Sequence, residues 1–108
     1  MSVDLPKPIA SYFAADRLDR DAVARCFAPD GTVKDEGRTY VGTAAIAQWK
    51  AEASAKYQYA SEPFAAEQQG ATTVVTSRLT GNFPGSPVNL RYFFRLDEGK
   101  IASLEILP

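Results

Sequence analysis

The amino-acid sequence predicts one α+β domain, residues 1–108, with helices in its first half and a meander of strands in its second. Three observations lead there. Up to Trp49, apolar residues recur at the three-to-four spacing of amphipathic helices. In the second half they alternate with period two, most cleanly over Val88–Leu96. Clusters of Gly, Pro, Asn and Asp separate the segments. A run of helices followed by a run of strands is the α+β order.

Pro6 and Pro8 suit the first turn of a helix, and Ile9, Tyr12, Phe13 and Asp16 mark its spacing, so the first helix is predicted over Lys7–Arg17. Asp19 is placed to cap a second helix, with Asp21 favourable in the first turn. Its buried stripe is Ala22, Val23, Cys26 and Phe27, and Ala28-Pro29-Asp30-Gly31 stops it. A short strand, Thr32–Asp35, and a loop precede Arg38-Thr39-Tyr40-Val41. Thr43 is expected to cap a third helix, with Ile46, Trp49, Lys50 and Ala53 on one side and Trp49 as a core anchor. Tyr57–Phe64 reads as a strand in which Pro63 marks an edge or a bulge, and Gln69-Gly70 punctuates the chain after it. Ala71–Gly81 is rich in Thr and Val, which favours extended structure. After the loop Asn82–Pro87, one face of Val88–Leu96 carries Val88, Leu90, Tyr92, Phe94 and Leu96. The other face carries Asn89, Arg91, Phe93 and Arg95. A tight turn, Asp97–Lys100, leads to the final strand Ile101–Leu107.

Composition excludes several function classes. Apolar residues make up 45% and charged residues 23%, and the net charge is −1, with 12 basic and 13 acidic residues spread along the chain. No nucleic-acid footprint and no basic membrane patch is expected. The single Cys26 forms no internal disulfide and reads as a structural thiol. Met1–Pro6 has neither a basic leader nor an apolar run, so a cytoplasmic location is the default expectation. The chain has no histidine, which excludes Ser-His-Asp and Cys-His catalysis and argues against a zinc or non-haem iron site. No glycine-rich phosphate loop is present. Neither a cofactor nor a metal is expected, and any chemistry must run on Asp, Glu, Tyr, Lys, Arg or backbone groups.

One carboxylate stands out. Val33 and Asp35 share a face of their strand, and Val33 is the aliphatic residue that marks this face as the inner one. Asp35 is thereby directed inward, where an unpaired carboxylate is costly and its pKa tends to rise. The surrounding residues, Phe27-Ala28-Pro29-Asp30-Gly31-Thr32-Val33-Lys34-Asp35 and then Gly42-Thr43-Ala44-Ala45-Ile46, resemble the nuclear transport factor 2-like superfamily in its SnoaL-like and ketosteroid isomerase branch. Order and length of elements extend the resemblance over nearly the whole chain. It implies a cone-shaped, curved mixed sheet wrapped around the three helices and enclosing a cavity.

The resemblance also implies roles. Asp35 matches the branch's general base, and Tyr12 falls about where the branch has its oxyanion tyrosine. Counting back from the shared ending Arg95-Leu96-Asp97-Glu98-Gly99-Lys100-Ile101 places Tyr92 where the branch has a protonated aspartate. A phenol can donate there without a raised pKa. Asp35, Tyr12 and Tyr92 are therefore the candidate catalytic residues, for proton transfer next to a carbonyl of a hydrophobic small molecule. A plain structural reading stands beside this one. Asp35-Glu36-Gly37 can be a turn, Tyr12 core, Tyr92 a cavity wall, and Arg38 a neutralising neighbour of Asp35. The protein is then a non-catalytic domain that binds an apolar ligand or a protein partner. A homodimer through the sheet is expected, using Asn89, Arg91, Phe93 and Arg95 with Thr73, Val75, Ser77 and Leu79 of the neighbouring strand.

Overall fold

The computed structural model describes residues 4–56 and 58–108, so the expected strand position of Tyr57 lies outside the described residues. Three helices precede most of the sheet: α1 (Lys7–Ala15), α2 (Arg20–Ala24) and α3 (Thr43–Lys56). The strands are β1 (Phe27–Asp35), β2 (Arg38–Val41), β3 (Tyr59–Gln69), β4 (Thr72–Gly81), β5 (Val88–Asp97) and β6 (Lys100–Leu107). They form one curved, unclosed sheet in the order β2-β1-β6-β5-β4-β3. The β1–β6 pair is parallel and every other pair is antiparallel. The α+β class and the cone-like architecture are as the sequence implied. No helix among the described residues is long and apolar enough to cross a membrane.

Local chemistry explains most element boundaries. Pro6 occupies the N-cap of α1 and Pro8 its first turn, where a missing N–H costs nothing. The Asp19 side chain caps α2 by accepting from the Ala22 N–H at 2.8 Å. Pro63 has both of its expected meanings, since β3 is an edge strand and its register shifts between Pro63 and Ala65. Gly81 must be glycine, because a Cβ there would lie 2.2 Å from the Gln58 carbonyl oxygen.

The structure corrects three expectations. Phe27 is not on the α2 stripe but opens β1, because the Ile101 N–H of β6 bonds the Cys26 carbonyl at 2.9 Å and draws the chain into the sheet. Thr43 is the first residue of α3, not its cap. Gly42, at φ +89°, supplies the carbonyl that accepts from the Ile46 N–H. The third correction concerns β4. Thr73, Val75, Ser77 and Leu79 stand opposite Phe94, Tyr92, Leu90 and Val88, so they lie on the inner face. The outer residues of β4 are Thr72, Val74, Thr76 and Arg78, opposite Arg95, Phe93, Arg91 and Asn89. Register is set by the connecting loop, and a slip of one residue moves every side chain to the other face.

The core lies between the inner face of the sheet and the helices. Val33, Leu104 and Phe94 form one cross-strand row, and all three are buried. Ile9, Tyr12 and Phe13 of α1, Val23 of α2, and Ile46 and Trp49 of α3 cover it. Tyr12, Phe13, Phe27, Tyr92 and Phe94 meet with ring centroids 5.1–6.4 Å apart, mostly edge to face.

Candidate functional site

Asp35 is the last residue of β1, and its neighbours Glu36 (φ +52°) and Gly37 (φ +77°) form the two-residue turn into β2. Both sequence readings of this segment therefore hold. The turn is real, and Asp35 stands just before it on the inner face. Its register partner on β6 is Ile106, and Ile106 is in turn opposite Tyr92 on β5. Asp35 and Tyr92 thus share one row, two strands or about 10 Å apart.

Asp35 and Tyr92, together with Tyr12 from α1, line a single concavity of about 380 Å³. The curved sheet forms its floor, through Leu79, Leu90, Tyr92 and Ile106, and Trp49 and Ala53 of α3 form one wall. Phe83, Pro84 and Val88 bring the β4–β5 loop and the start of β5 to its rim. All three candidate residues of the sequence thus reach the same space.

The electrostatics differ from residue to residue. Asp35 is half-buried, and burial raises its pKa above the ordinary carboxylate range. A hydrogen bond from the Trp49 indole to its Oδ2, at 3.0 Å, partly offsets this, while the Glu36 charge adds to the rise. The partner of Asp35 is therefore Trp49 rather than Arg38. Tyr12, 3% exposed, is held well above its ordinary pKa by burial and then by the Asp16 charge. Tyr92 is also pushed up by burial, and Ser61 beside its hydroxyl offsets part of the rise. Both phenols stay protonated at neutral pH and can act only as donors or as weak acceptors.

Sequence reasoning did not assign a second polar group in the same concavity. Lys50 on α3 donates to Asp16 Oδ1 at 2.5 Å and to the Tyr59 hydroxyl at 3.0 Å. The side chains of Lys50 and Asp16 are only 5% and 9% exposed. Burial alone would lower the pKa of Lys50, but the Asp16 hydrogen bond and charge reverse this and raise it. Asp16 and Tyr59 both line the concavity. Two signals were visible in the sequence. Lys50 interrupts an apolar stripe, and Asp16 ends a helix, where a carboxylate opposes the macrodipole. Each placement is unfavourable unless the residue has a partner.

A protein-family model for the SnoaL-like domain matches residues 9–104. The chain belongs to the SnoaL-like domain family. A putative polyketide cyclase from Sinorhizobium meliloti is 42% identical to this SnoaL-like domain, with 98% of each chain covered and a TM-score of 0.92. A Catenulispora acidiphila protein with a ketosteroid isomerase-like fold, solved with trimethylamine, is 23% identical. There the match covers 97% of this chain and 87% of the other, with a TM-score of 0.86. A putative polyketide cyclase from Xanthomonas campestris pv. campestris is 18% identical over 92% of this chain and 85% of the other, with a TM-score of 0.79. The last two likenesses show the fold alone. No curated protein matches the chain.

Proposed function

We propose that this SnoaL-like domain is a cofactor-independent enzyme that transfers a proton next to a carbonyl of a hydrophobic small molecule, in an isomerase or cyclase type of reaction. One observation carries the reading. A half-buried carboxylate with a raised pKa faces a largely apolar concavity that two protonated tyrosines also line. The 42% identical relative, described as a putative polyketide cyclase, supports the same class.

In this mechanism the Asp35 carboxylate removes a proton from the carbon beside the carbonyl. The C–H electron pair moves into a new C=C bond, and the carbonyl oxygen takes the negative charge. Tyr12 donates a hydrogen bond to that oxygen, with Tyr92 as second donor. Returning the proton from Asp35 to a different carbon gives an isomer. Attack of the enolate carbon on a second carbonyl of the same molecule closes a ring, and Asp35 then returns its proton to the new alkoxide. Electrons and protons balance in both outcomes.

The test needs no known product. Enolisable ketones and 1,3-diketones of a size to enter the concavity are incubated with the protein in D2O, and exchange at the carbon beside the carbonyl is followed by NMR. Asp35→Asn keeps the shape and removes the base, so exchange should fall by about 100-fold or more. Unchanged exchange in that variant refutes the assignment. If none of the ketones binds, the site is not a small-molecule site of this kind, and the non-catalytic reading replaces this one.

A further inference from the structure

The Asp16–Lys50–Tyr59 group has no part in the mechanism above, although it lies against the same concavity. An ammonium has three donors and no acceptor, so in the Lys50–Tyr59 bond the phenol oxygen must be the acceptor. The phenol's own proton is then free to point elsewhere. No acceptor on the described residues takes it, and the concavity that Tyr59 lines is the space open to it. Burial raises the pKa of Tyr59, as does the Asp16 charge, while Lys50 offsets part of the rise. At neutral pH the group is a donor and not a base.

Orientation separates Tyr59 from Tyr12. Lys50 holds the Tyr59 oxygen at 3.0 Å, and its ammonium also lies 4.9 Å from the centre of the Tyr59 ring. Asp16 in turn holds Lys50. Linked hydrogen bonds polarise one another, and a donor fixed before the ligand arrives needs no reorganisation when charge develops. Tyr12 has four aromatic neighbours, but no hydrogen bond among the described residues orients its hydroxyl.

We infer that Tyr59 is the main donor to a ligand oxygen that carries full or developing negative charge, and that Lys50, anchored by Asp16, is the positioning residue that aims it. The ligand class this assigns is an enolate, or a phenolate of similar shape, held with its oxygen at Tyr59 and its apolar body against the sheet. The inference rests on the proton-transfer reading of the same concavity, keeps Asp35 as its base, and moves the main donor role in it from Tyr12 to Tyr59.

Two flat aromatic probes test it, p-nitrophenolate, read by its absorbance, and neutral nitrobenzene, read by NMR line broadening. The quantity of interest is the ratio of their affinities. Repulsion from Asp35 is common to every variant and cancels when ratios are compared. Tyr59→Phe removes one hydroxyl and should lower the phenolate-to-nitrobenzene ratio about tenfold or more, the worth of a hydrogen bond to a charged group. Nitrobenzene affinity should stay within about twofold. Tyr12→Phe should change the ratio by less than about threefold. Lys50→Met should lower the ratio as Tyr59→Phe does, and Lys50→Arg should restore part of it. A ratio unchanged in Tyr59→Phe, or lost in Tyr12→Phe instead, overturns the inference and leaves the role of Asp35 standing. Failure of both probes to bind the parent chain overturns the inference and the ligand-site reading together. If Lys50→Met does not fold, Tyr59→Phe alone decides.

Discussion

Breaking the Asp16–Lys50 pair should be among the most destabilising single changes available in this protein. Lys50→Met leaves an unpaired carboxylate whose side chain is 9% exposed. Removing one member of a buried pair costs about 3–5 kcal/mol, because the other charge stays out of water without compensation. The concavity beside Asp16 admits solvent, so the lower end applies, about 3 kcal/mol. With a urea m-value of about 1.5 kcal/mol per M, the midpoint should fall by roughly 2 M. A second variant isolates the cause. Asp16→Asn on top of Lys50→Met removes the orphaned charge, so the double variant should be clearly more stable than Lys50→Met alone. Urea unfolding followed by circular dichroism at neutral pH measures all four corners of this cycle. If Lys50→Met costs less than about 1 kcal/mol, the pair is in effect solvated and worth no more than a surface bridge. If the two single losses simply add in the double variant, Asp16 and Lys50 are not coupled and the burial argument fails.

Four further outcomes follow from the same contacts. Trp49→Phe deletes the indole N–H that stabilises ionised Asp35, so the alkaline-rising limb of the exchange rate should move to higher pH; a limb that stays in place removes Trp49 from the site. The raised pKa of Asp35 means that the folded chain holds this proton more tightly than the unfolded chain, so stability is lost as pH rises through the folded value. Asp35→Asn should therefore stabilise the protein at neutral pH, by a fraction of a kcal/mol after solvent screening, with no gain at acid pH, as thermal melts at both pH values would show. Asp19→Ala removes the α2 cap and should cost about 1 kcal/mol in denaturant unfolding while leaving nitrobenzene binding unchanged. On the outer face of the sheet, Val74, Phe93 and Leu107 lie among Arg91 and Arg95, and sedimentation at micromolar concentration should give the mass of two chains; a one-chain mass refutes the expected dimer.

The inward aim of Asp35 was legible because a strand's period of two is a local property, and Val33 alone identified the inner face. The same alternation placed Tyr92 correctly. The face of β4 was not legible, since it depends on which residue of β4 lies opposite which of β5, and the Asn82–Pro87 loop decides that. Nor was the start of β1 at Phe27, because its partner Ile101 lies at the far end of the chain. The Asp16–Lys50 pair was half legible. A lysine on an apolar stripe and a carboxylate at a helix C-terminus each announce a missing partner, but the two are 34 residues apart and nothing local joins them. Trp49 as the partner of Asp35 is a similar case, at a separation of 14.

Helix α3 connects these observations. Trp49 and Lys50 are consecutive on it, and consecutive helical residues project about 100° apart. Trp49 therefore reaches Asp35 on β1, while Lys50 reaches Asp16 at the end of α1 and Tyr59 at the start of β3. One helix fixes both Asp35, the proposed base, and Tyr59, the proposed donor. These contacts are a poor investment in stability. A buried ion pair can often be exchanged for apolar residues at no loss, and a carboxylate whose pKa is raised by burial, as at Asp35, should weaken the fold at neutral pH. A packed core would be better served by leucine at such positions. That Asp16, Asp35 and three tyrosines line one concavity, with Lys50 bonded to two of them, fits a site whose geometry serves a ligand. Because α3 carries a contact to each pole, a shift of that helix should disturb base and donor together, whereas Tyr59→Phe and Asp35→Asn should separate them.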